Sequence, residues 1–276
     1  MNAIKTLARL APQSFVRWLG RLQFKYPAVA PLLNRLGAQA TQGENVMRHG
    51  IGRGLRFDSR GGHPGYALGT SDPEEQDALA RRLTSGQVFY DIGANVGFFT
   101  TLAARIVGPK GQVYGFEPFP ATAATARDNA RRNGFEHVTI IEAAVSNFEG
   151  EAVFDVSNTT TTFRLLKPGE KVAETTRSIK VPVMTVDGQV AAGLRPPNVV
   201  MIDVEGAELE VLEGMRQTLL SSHPRVICEV HWCPAEKFIA HVGKIVGQTY
   251  SVTDLAGDPL PQLGAERYHV CMTPRE

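Results

Sequence analysis

Three stretches of the chain place ionisable side chains where an apolar run stops. "YDIGANVGFF" reaches Asp91 and turns through Gly93, Ala94, Asn95 and Gly97 into a second apolar run. "MIDVEGAE" closes on Asp203, Glu205 and Glu208, and "VICEVHWC" on Cys228, Glu229, His231 and Cys233. Runs this short read as buried strands, and the carboxyl ends of strands in an open parallel sheet are where ligands bind. Residues two apart on an extended segment share a face. Asp203 therefore goes with Glu205, and His231 with Glu229 and Cys233, while Cys228, Val230 and Trp232 face the other way. Such a set suits the removal of a proton from a hydroxyl. His231 is the candidate general base, because the unperturbed imidazole titrates near working pH; a structural histidine bonded to a carboxylate is the alternative. Glu229 would orient it and Asp203 would lie between the bound molecules. Glu205 would assist, although it reads equally as a turn or capping acid. Glu208 fits the first turn of a helix, where the dipole favours an acid. Asp203 and Glu229 offer the oxygen ligands that magnesium prefers. Cys228, His231 and Cys233 lack the paired spacing of a zinc site, and no metal ligands are assigned.

The glycine turn separates two kinds of cofactor. A dinucleotide needs G-x-G-x-x-G, with its pyrophosphate on the following helix N-terminus. Here Gly93 and Gly97 are four apart, Asn95 takes the middle glycine's place, and no third glycine follows. Asp91 would also repel a pyrophosphate. S-adenosylmethionine has no phosphate; its sulfonium and ammonium favour a nearby acid, and its carboxylate can use the free N–H groups where a helix begins. Glu117 in "VYGFEP" lies 24 residues beyond Gly93 and ends the next strand, just before Pro118. A carboxylate there can accept both hydroxyls of a ribose. After the third strand, in "IIEAAVS", the Glu142 side chain or the Ala144 N–H would read the adenine.

These tips need alternating strands and helices to position them. "QVFYDI", "QVYGFE" and "HVTIIEAAV" are strand-like; "GFFTTLAARIV" and "ATAATARDNARRN" between them are helical, ended by Gly108-Pro109 and Gly134. This βαβαβ run predicts an α/β fold with a parallel sheet and right-handed crossovers. A β-rich insertion at 151–186 holds "SIKVPVMTV" and the threonine-rich "SNTTTTFRLL", which reads as a pocket lining or an exposed strand. The alternation then resumes with "NVVMIDV", "AELEVLEGMRQTLL", "RVICEV" and "PAEKFIAHVGKIV", and "TYSVTDL" and "RYHVCMT" close it as strands antiparallel to each other. Upstream, "SDPEEQDALARRL" reads as a helix, with Ser71 or Asp72 as cap, Pro73 in the first turn, acids early and arginines late. Short strands are expected at Gly54–Asp58 and Tyr66–Gly69.

"FYDIGANVGFFTTLAA", "GQVYGFEPFP", "EAAVSNFEGEA" and "MIDVEGAELEVLEGM", with "LGTSDPEEQDAL" before them and "VICEVH" after, resemble the FkbM family of S-adenosylmethionine-dependent methyltransferases over roughly residues 65–232. The resemblance implies the class I methyltransferase (Rossmann-like) fold, a mostly parallel seven-stranded sheet with its last strand antiparallel. It also implies methyl transfer to a hydroxyl of a sugar or another natural product. Two positions depart from the family's usual pattern: Met201 replaces a lysine, and Asp72 a glutamate. The expected cofactor site is Asp91, Gly93, Ala94, Asn95, Gly97, Glu117, Pro118, Glu142, Ala144 and Asp203. The expected catalytic set is His231, Asp203, Glu205 and Glu229.

Composition bounds the rest. With 276 residues, 43% hydrophobic and 21% charged, the chain can build a sizeable core and is not globally disordered. Residues 1–60 hold ten Lys/Arg against Glu44 and Asp58, so +8 of charge sits at the front of a chain whose net charge is +1. Ile4, Leu7, Leu10, Phe15, Val16, Leu19 and Leu22 recur there at helical spacing. We expect a basic helical extension with short strands over 1–70, and a methyltransferase domain over 71–276. The extension would cap the domain or form a homodimer contact; the other reading is a basic helix lying on an anionic membrane, which Pro12 and Pro27 interrupt. The expected partner is a small-molecule substrate. An RNA acceptor is the rival, against which no aromatic residues interleave with the basic ones; a non-catalytic binding protein on the same scaffold is another. Three cysteines, no apolar run of membrane-spanning length and no uninterrupted signal core point to the cytoplasm.

Overall fold

The computed structural model describes residues 31, 41, 43–156, 163–165, 177–260 and 267–275. A hairpin of β1 (Glu44–Val46) and β2 (Arg56–Asp58) leads into α1 (Pro64–Leu68) and α2 (Pro73–Arg82). The expected alternation follows: β3 (Val88–Ile92), α3 (Phe98–Val107), β4 (Gln112–Phe116), α4 (Pro120–Arg132) and β5 (Val138–Ile141). Next come β6 (Ala144–Val145), β7 (Gly150–Val156), β8 (Phe163–Leu165), β9 (Arg177–Met184) and α5 (Val186–Ala191). The last part is β10 (Val199–Ile202), α6 (Glu208–Glu213), α7 (Arg216–Ser222), β11 (Arg225–His231), α8 (Ala235–Val246), β12 (Tyr250–Thr253) and β13 (Arg267–Pro274).

Seven strands form one sheet in the order β12-β13-β11-β10-β3-β4-β5. Every pairing among β11, β10, β3, β4 and β5 is parallel, and β13 runs antiparallel to both β11 and β12. This is the class I methyltransferase architecture, with the last strand reversed. Strand order turns back between β3 and β10, so the tips of these two neighbours carry different loops and leave a crevice. β3 and β10 are buried along their whole length, as strands covered by helices on both faces must be. Tyr90, Ile92, Phe116, Ile202, Leu212 and Phe238 fill one side of the sheet; Phe89, Leu102, Ile227 and Cys271 fill the other.

The structure corrects three local expectations. "HVTIIEAAV" is two strands: β5 stops at Ile141, the Ala143 N–H turns back onto the Ile141 carbonyl, and β6 joins the separate sheet β6-β9-β7-β8. "AELEVLEGMRQTLL" is two helices, broken at Gly214, where the Ser146 carbonyl approaches so closely that a Cβ would lie 2.0 Å from it. Tyr66–Gly69 is not a strand. The His63 side chain accepts the Gly65 N–H, Pro64 opens helix α1, and Gly69 closes it in the left-handed conformation. Residue 31 aside, the helical reading of residues 1–40, and with it the proposed dimer contact, lies outside the described residues, as do residues 157–162 of the threonine-rich stretch. Among the described residues no helix is long and apolar enough to cross a membrane.

Two asparagines fasten the hairpin to the domain. Asn129 Oδ1 accepts the Asp58 N–H at 2.8 Å, and its Nδ2 donates to the Asp58 and Val96 carbonyls at 2.9 Å each. One helical turn on, Asn133 binds the N–H and carbonyl of Arg56 in the same way. The edge of α4 thus stands in for a strand partner to β2, and through Val96 it also holds the glycine turn. Buried polar groups left without partners cost about 1–3 kcal/mol each. Asn129→Ala is therefore expected to lower stability in urea denaturation by roughly 2–3 kcal/mol; a loss under about 0.5 kcal/mol, the usual scale of a neutral surface change, would show that the clamp is not structural.

Candidate active site

The crevice at the reversal point is a cleft of about 620 Å³, part of it open to solvent. Gly93 and Asn95 form one wall, Glu117 and Pro118 another, Ala143 and Ala144 a third, and Asp203, Val204 and Glu205 the last. The turn is built tightly. Gly93, at φ +89°, lies against the β10 loop so that a Cβ would fall 1.8 Å from the Asp203 carbonyl oxygen. Glu117 spans the cleft's other edge: one oxygen accepts the Asn95 N–H at 2.8 Å, the other the Phe119 N–H and the Thr122 hydroxyl at 2.9 Å each. Burial nonetheless lifts its pKa above the ordinary value, against those three hydrogen bonds.

The turn's donors are used within the protein. The N–H groups of Gly93 and Ala94 both go to the Phe116 carbonyl, that of Asn95 to Glu117, that of Val96 to Asn95 Oδ1, and that of Gly97 to the Ala94 carbonyl. Residues 93–97 are thus a rigid wall, ahead of the helix start at Phe98 whose N–H groups are the donors expected for a carboxylate. Three residues expected to touch a cofactor stand back from the cleft for packing reasons. Ala94 is buried, Gly97 lets α4 approach so closely that a Cβ would meet Ala126 at 2.9 Å, and Asp91 is sealed below the turn. Asp91 accepts the Thr100 hydroxyl, and burial pushes its pKa up to about 6. Glu142 points outward to pair with Arg127.

The second half of the site gathers at the tips of β10 and β11. His231 is buried, and its Nδ1 lies 2.8 Å from Glu208 Oε1. A carboxylate can only accept, so Nδ1 carries a proton, and whenever the ring is neutral Nε2 is the bare nitrogen. Nε2 has no hydrogen-bond partner; it lies 3.5 Å from Glu205 Oε2 and 3.8 Å from Glu229 Oε1. Burial lowers the imidazole pKa, but Glu208, Asp203 and Glu205 outweigh it and hold the net value above ordinary. Asp203 rises well above the ordinary carboxyl range, through burial first and then the charges of Glu229 and Glu205, and its Oδ1 is also unpartnered.

Glu208, not Glu229, orients His231. Glu229 instead pairs with Arg267 and faces His269, whose Nε2 is 2.6 Å from Glu75. Burial would depress His269, but its bonds to Glu229 and Glu75 push its pKa up to about 10. Asp72 occupies the N-cap position of α2 at φ +50° without using its side chain as a cap. Burial and the charges of Glu75 and Glu229 push it up to about 7. Tyr66, stacked on Phe98 at 4.6 Å, has its hydroxyl raised by burial and by the charges of Asp72, Asp203, Glu229 and Asp91. The sequence reading missed Tyr66, Glu75, Arg267 and His269, since nothing local marks segments that meet only through β13 and α2. Glu208 carried a signal, in that it shares the "DVEGAE" stretch with Asp203 and Glu205.

Neither earlier metal reading holds as stated. Cys228 is buried in the core on the far side of β11 from His231. Trp232, at φ +51°, breaks the alternation and sends Cys233 to that same side. Glu229 is committed to Arg267 and His269 and leaves Asp203 without its expected partner. Asp203, Glu205 and His231 do converge, each offering a ligand atom within 4.8 Å of the others.

The profile of the methyltransferase FkbM domain matches residues 91–251, more than half of the chain. The hexuronic acid methyltransferase AglP of Haloferax volcanii is 33% identical over 161 residues, which is 57% of this chain and 62% of that protein. The 2-O-methyltransferase NoeI of Sinorhizobium fredii is 27% identical over 172 residues, 56% of this chain and 70% of that protein. The matched region thus covers less than two thirds of AglP. A crystal structure of methyltransferase FkbM from Methylobacillus flagellatus KT superposes with a TM-score of 0.46 at 13% identity, over 76% of this chain and 52% of that one. That likeness is too weak for residue-by-residue correspondence.

Two measurements bear on this geometry. Glu117→Ala removes the carboxylate expected to accept a ribose diol, and should weaken S-adenosylmethionine binding by about tenfold or more in calorimetry; an unchanged dissociation constant would take Glu117 out of the site. The raised pKa of His269 means that its ion pairs stabilise the fold fully below the free imidazole pKa and lose that contribution as pH rises to about 10. The stability advantage of the wild type over His269→Gln should therefore shrink between about pH 6.5 and about pH 10. A constant advantage over that range would contradict the pairing.

Proposed function

Because the chain belongs to the FkbM methyltransferase family, we propose that it is an S-adenosylmethionine-dependent O-methyltransferase acting on a hydroxyl of a sugar or a glycosylated small molecule. The observation that carries this is the buried Nε2 of His231, which has no hydrogen-bond partner among the described residues, on a ring oriented by Glu208 and 3.5 Å from Glu205, which lines the cleft with Asp203. The cleft fits a cationic nucleoside. Glu117 faces it with a fixed carboxylate, Asp203 adds an unpartnered oxygen, and Gly93 lets the turn pack directly against the Asp203 carbonyl. Glu117 would hold the ribose, Ala143 and Ala144 would flank the base, and Asp203 would face the charged end. The bound cofactor supplies an activated methyl group on sulfur. Everything else falls to the protein: alignment of the acceptor, and removal of its proton. His231 Nε2 would take the acceptor's hydroxyl proton, and the resulting imidazolium would be stabilised by Glu208 on one side and Glu205 on the other.

A sugar acceptor is supported by the hexuronic acid in the name of AglP, and methylation on oxygen by the name of the 2-O-methyltransferase NoeI. It is also supported by the density of carboxylates, which accept hydroxyl hydrogens well. Cytoplasmic placement is supported by the free thiols of Cys228, Cys233 and Cys271.

The convergence of Asp203, Glu205 and His231 favours a second reading, in which the three hold a divalent cation such as magnesium and His231 is a ligand instead of a base. One assay separates the two. Candidate glycosides are incubated with S-adenosylmethionine, and the gain of one methyl group is followed by mass spectrometry with and without a chelator. Unchanged turnover in the chelator keeps His231 as the base; loss restored by magnesium makes it a ligand.

As a base, His231 must be neutral, so turnover is expected to rise with pH and level off above an apparent pKa higher than that of free imidazole. Glu208→Gln should move that midpoint down, and His231→Ala should lower turnover by about 10²-fold or more while leaving cofactor affinity in place. Near-wild-type turnover in His231→Ala would end its role.

A further inference from the structure

Trp232 pays twice for its position. It is 59% exposed, the most exposed of the large hydrophobic side chains described, and its φ of +51° is a left-handed conformation that bulky residues rarely hold. Strain of this kind persists where the surroundings enforce it, and it gathers at functional sites. The surroundings are specific. The indole lies beside the His231 ring, with centroids 5.5 Å apart. Its six-membered edge rests on Gly206, where a Cβ would come within 3.0 Å of Cε3 and 3.1 Å of Cζ3. Gly206 donates its N–H to Glu208 Oε1 at 2.8 Å, the same oxygen that holds His231 Nδ1. The indole and the base are thus fixed against one short loop, and the indole still faces solvent.

We propose that Trp232 is the stacking platform for the pyranose ring of the acceptor. This deepens the reading of the acceptor as a sugar and rests on it. A flat, polarisable indole face with negative quadrupole matches the face of a pyranose, whose C–H groups are polarised positive by the ring's oxygens. A ring seated on the indole presents its hydroxyls edgewise to His231 Nε2 and to Asp203 and Glu205. The platform selects for ring shape, and the carboxylates select for hydroxyl placement. The small size of Gly206 is part of this design, because any side chain there would lift the indole away from the base.

The chain has two tryptophans, Trp18 and Trp232, so Trp18→Phe leaves Trp232 as the sole indole reporter. In that background, methyl hexopyranosides in neutral, uronate and amino forms are titrated against the indole emission, and KM and kcat are measured for any that are methylated. Saturable quenching by the methylated glycoside is expected. Trp232→Ala should raise its KM by about tenfold, the scale of one aromatic stacking contact, while kcat and S-adenosylmethionine affinity stay within about twofold. Trp232→Phe, which keeps an aromatic face, should recover most of the loss. If Trp232→Ala methylates the glycoside with unchanged KM, the platform is wrong and sugar methylation stands. If no glycoside quenches or is methylated while a non-carbohydrate alcohol is, the sugar reading falls and takes the platform with it.

Discussion

The carbonyl oxygen of Asp203 occupies the space where a side chain on residue 93 would begin. β3 and β10 are paired in register up to Ile92 and Ile202, and the two chains leave the sheet in opposite senses of strand order. Only a glycine lets the first loop fold flat onto the second. Glu117 then fixes that loop from the other flank through the Asn95 N–H, and Asn129 holds it from behind through the Val96 carbonyl. With the loop pinned on three sides, the rest follows. The Asp203 side chain projects beside the cleft, Gly206 and Glu208 start α6 where they do, and Glu208 can reach across to His231.

Much of this was legible in the residues, because strands at a parallel sheet's centre are continuous apolar runs and their tips are punctuated by glycine and acids. The order of elements, the reversed last strand, and the roles of Gly93, Glu117, Asp203 and His231 as residues of one region follow from that punctuation and from the family resemblance. What escaped was whatever depends on depth or on distant segments. An acid at a strand tip can face the cleft or the layer beneath it, and Asp91 lies beneath. Glu142 directly follows the last residue of β5, yet its side chain turns out to Arg127. Glu229 and Glu208 both had the chemistry to orient an imidazole. The choice was made by Arg267 and His269, which reach Glu229 only because β13 lands antiparallel beside β11.

The charges of the site are arranged in two tiers. Glu75, Glu208 and Glu229 each have a cationic or imidazole partner within the protein, and they define its shape. Asp203 and Asp72 have no such ion pair among the described residues, and burial first, then the charges of neighbouring carboxylates, raise their pKa values.

Five non-glycine residues among those described hold a left-handed backbone, and two of them, Asn95 and Glu205, line the cleft. Glycine at either would relax the chain and at the same time erase a wall of the cavity. Thermal robustness and catalytic shape therefore compete at the same few codons. Lineages selected for hotter habitats would have to find their gains elsewhere, in the sheet and its covering helices, while the rim stays costly and unchanged.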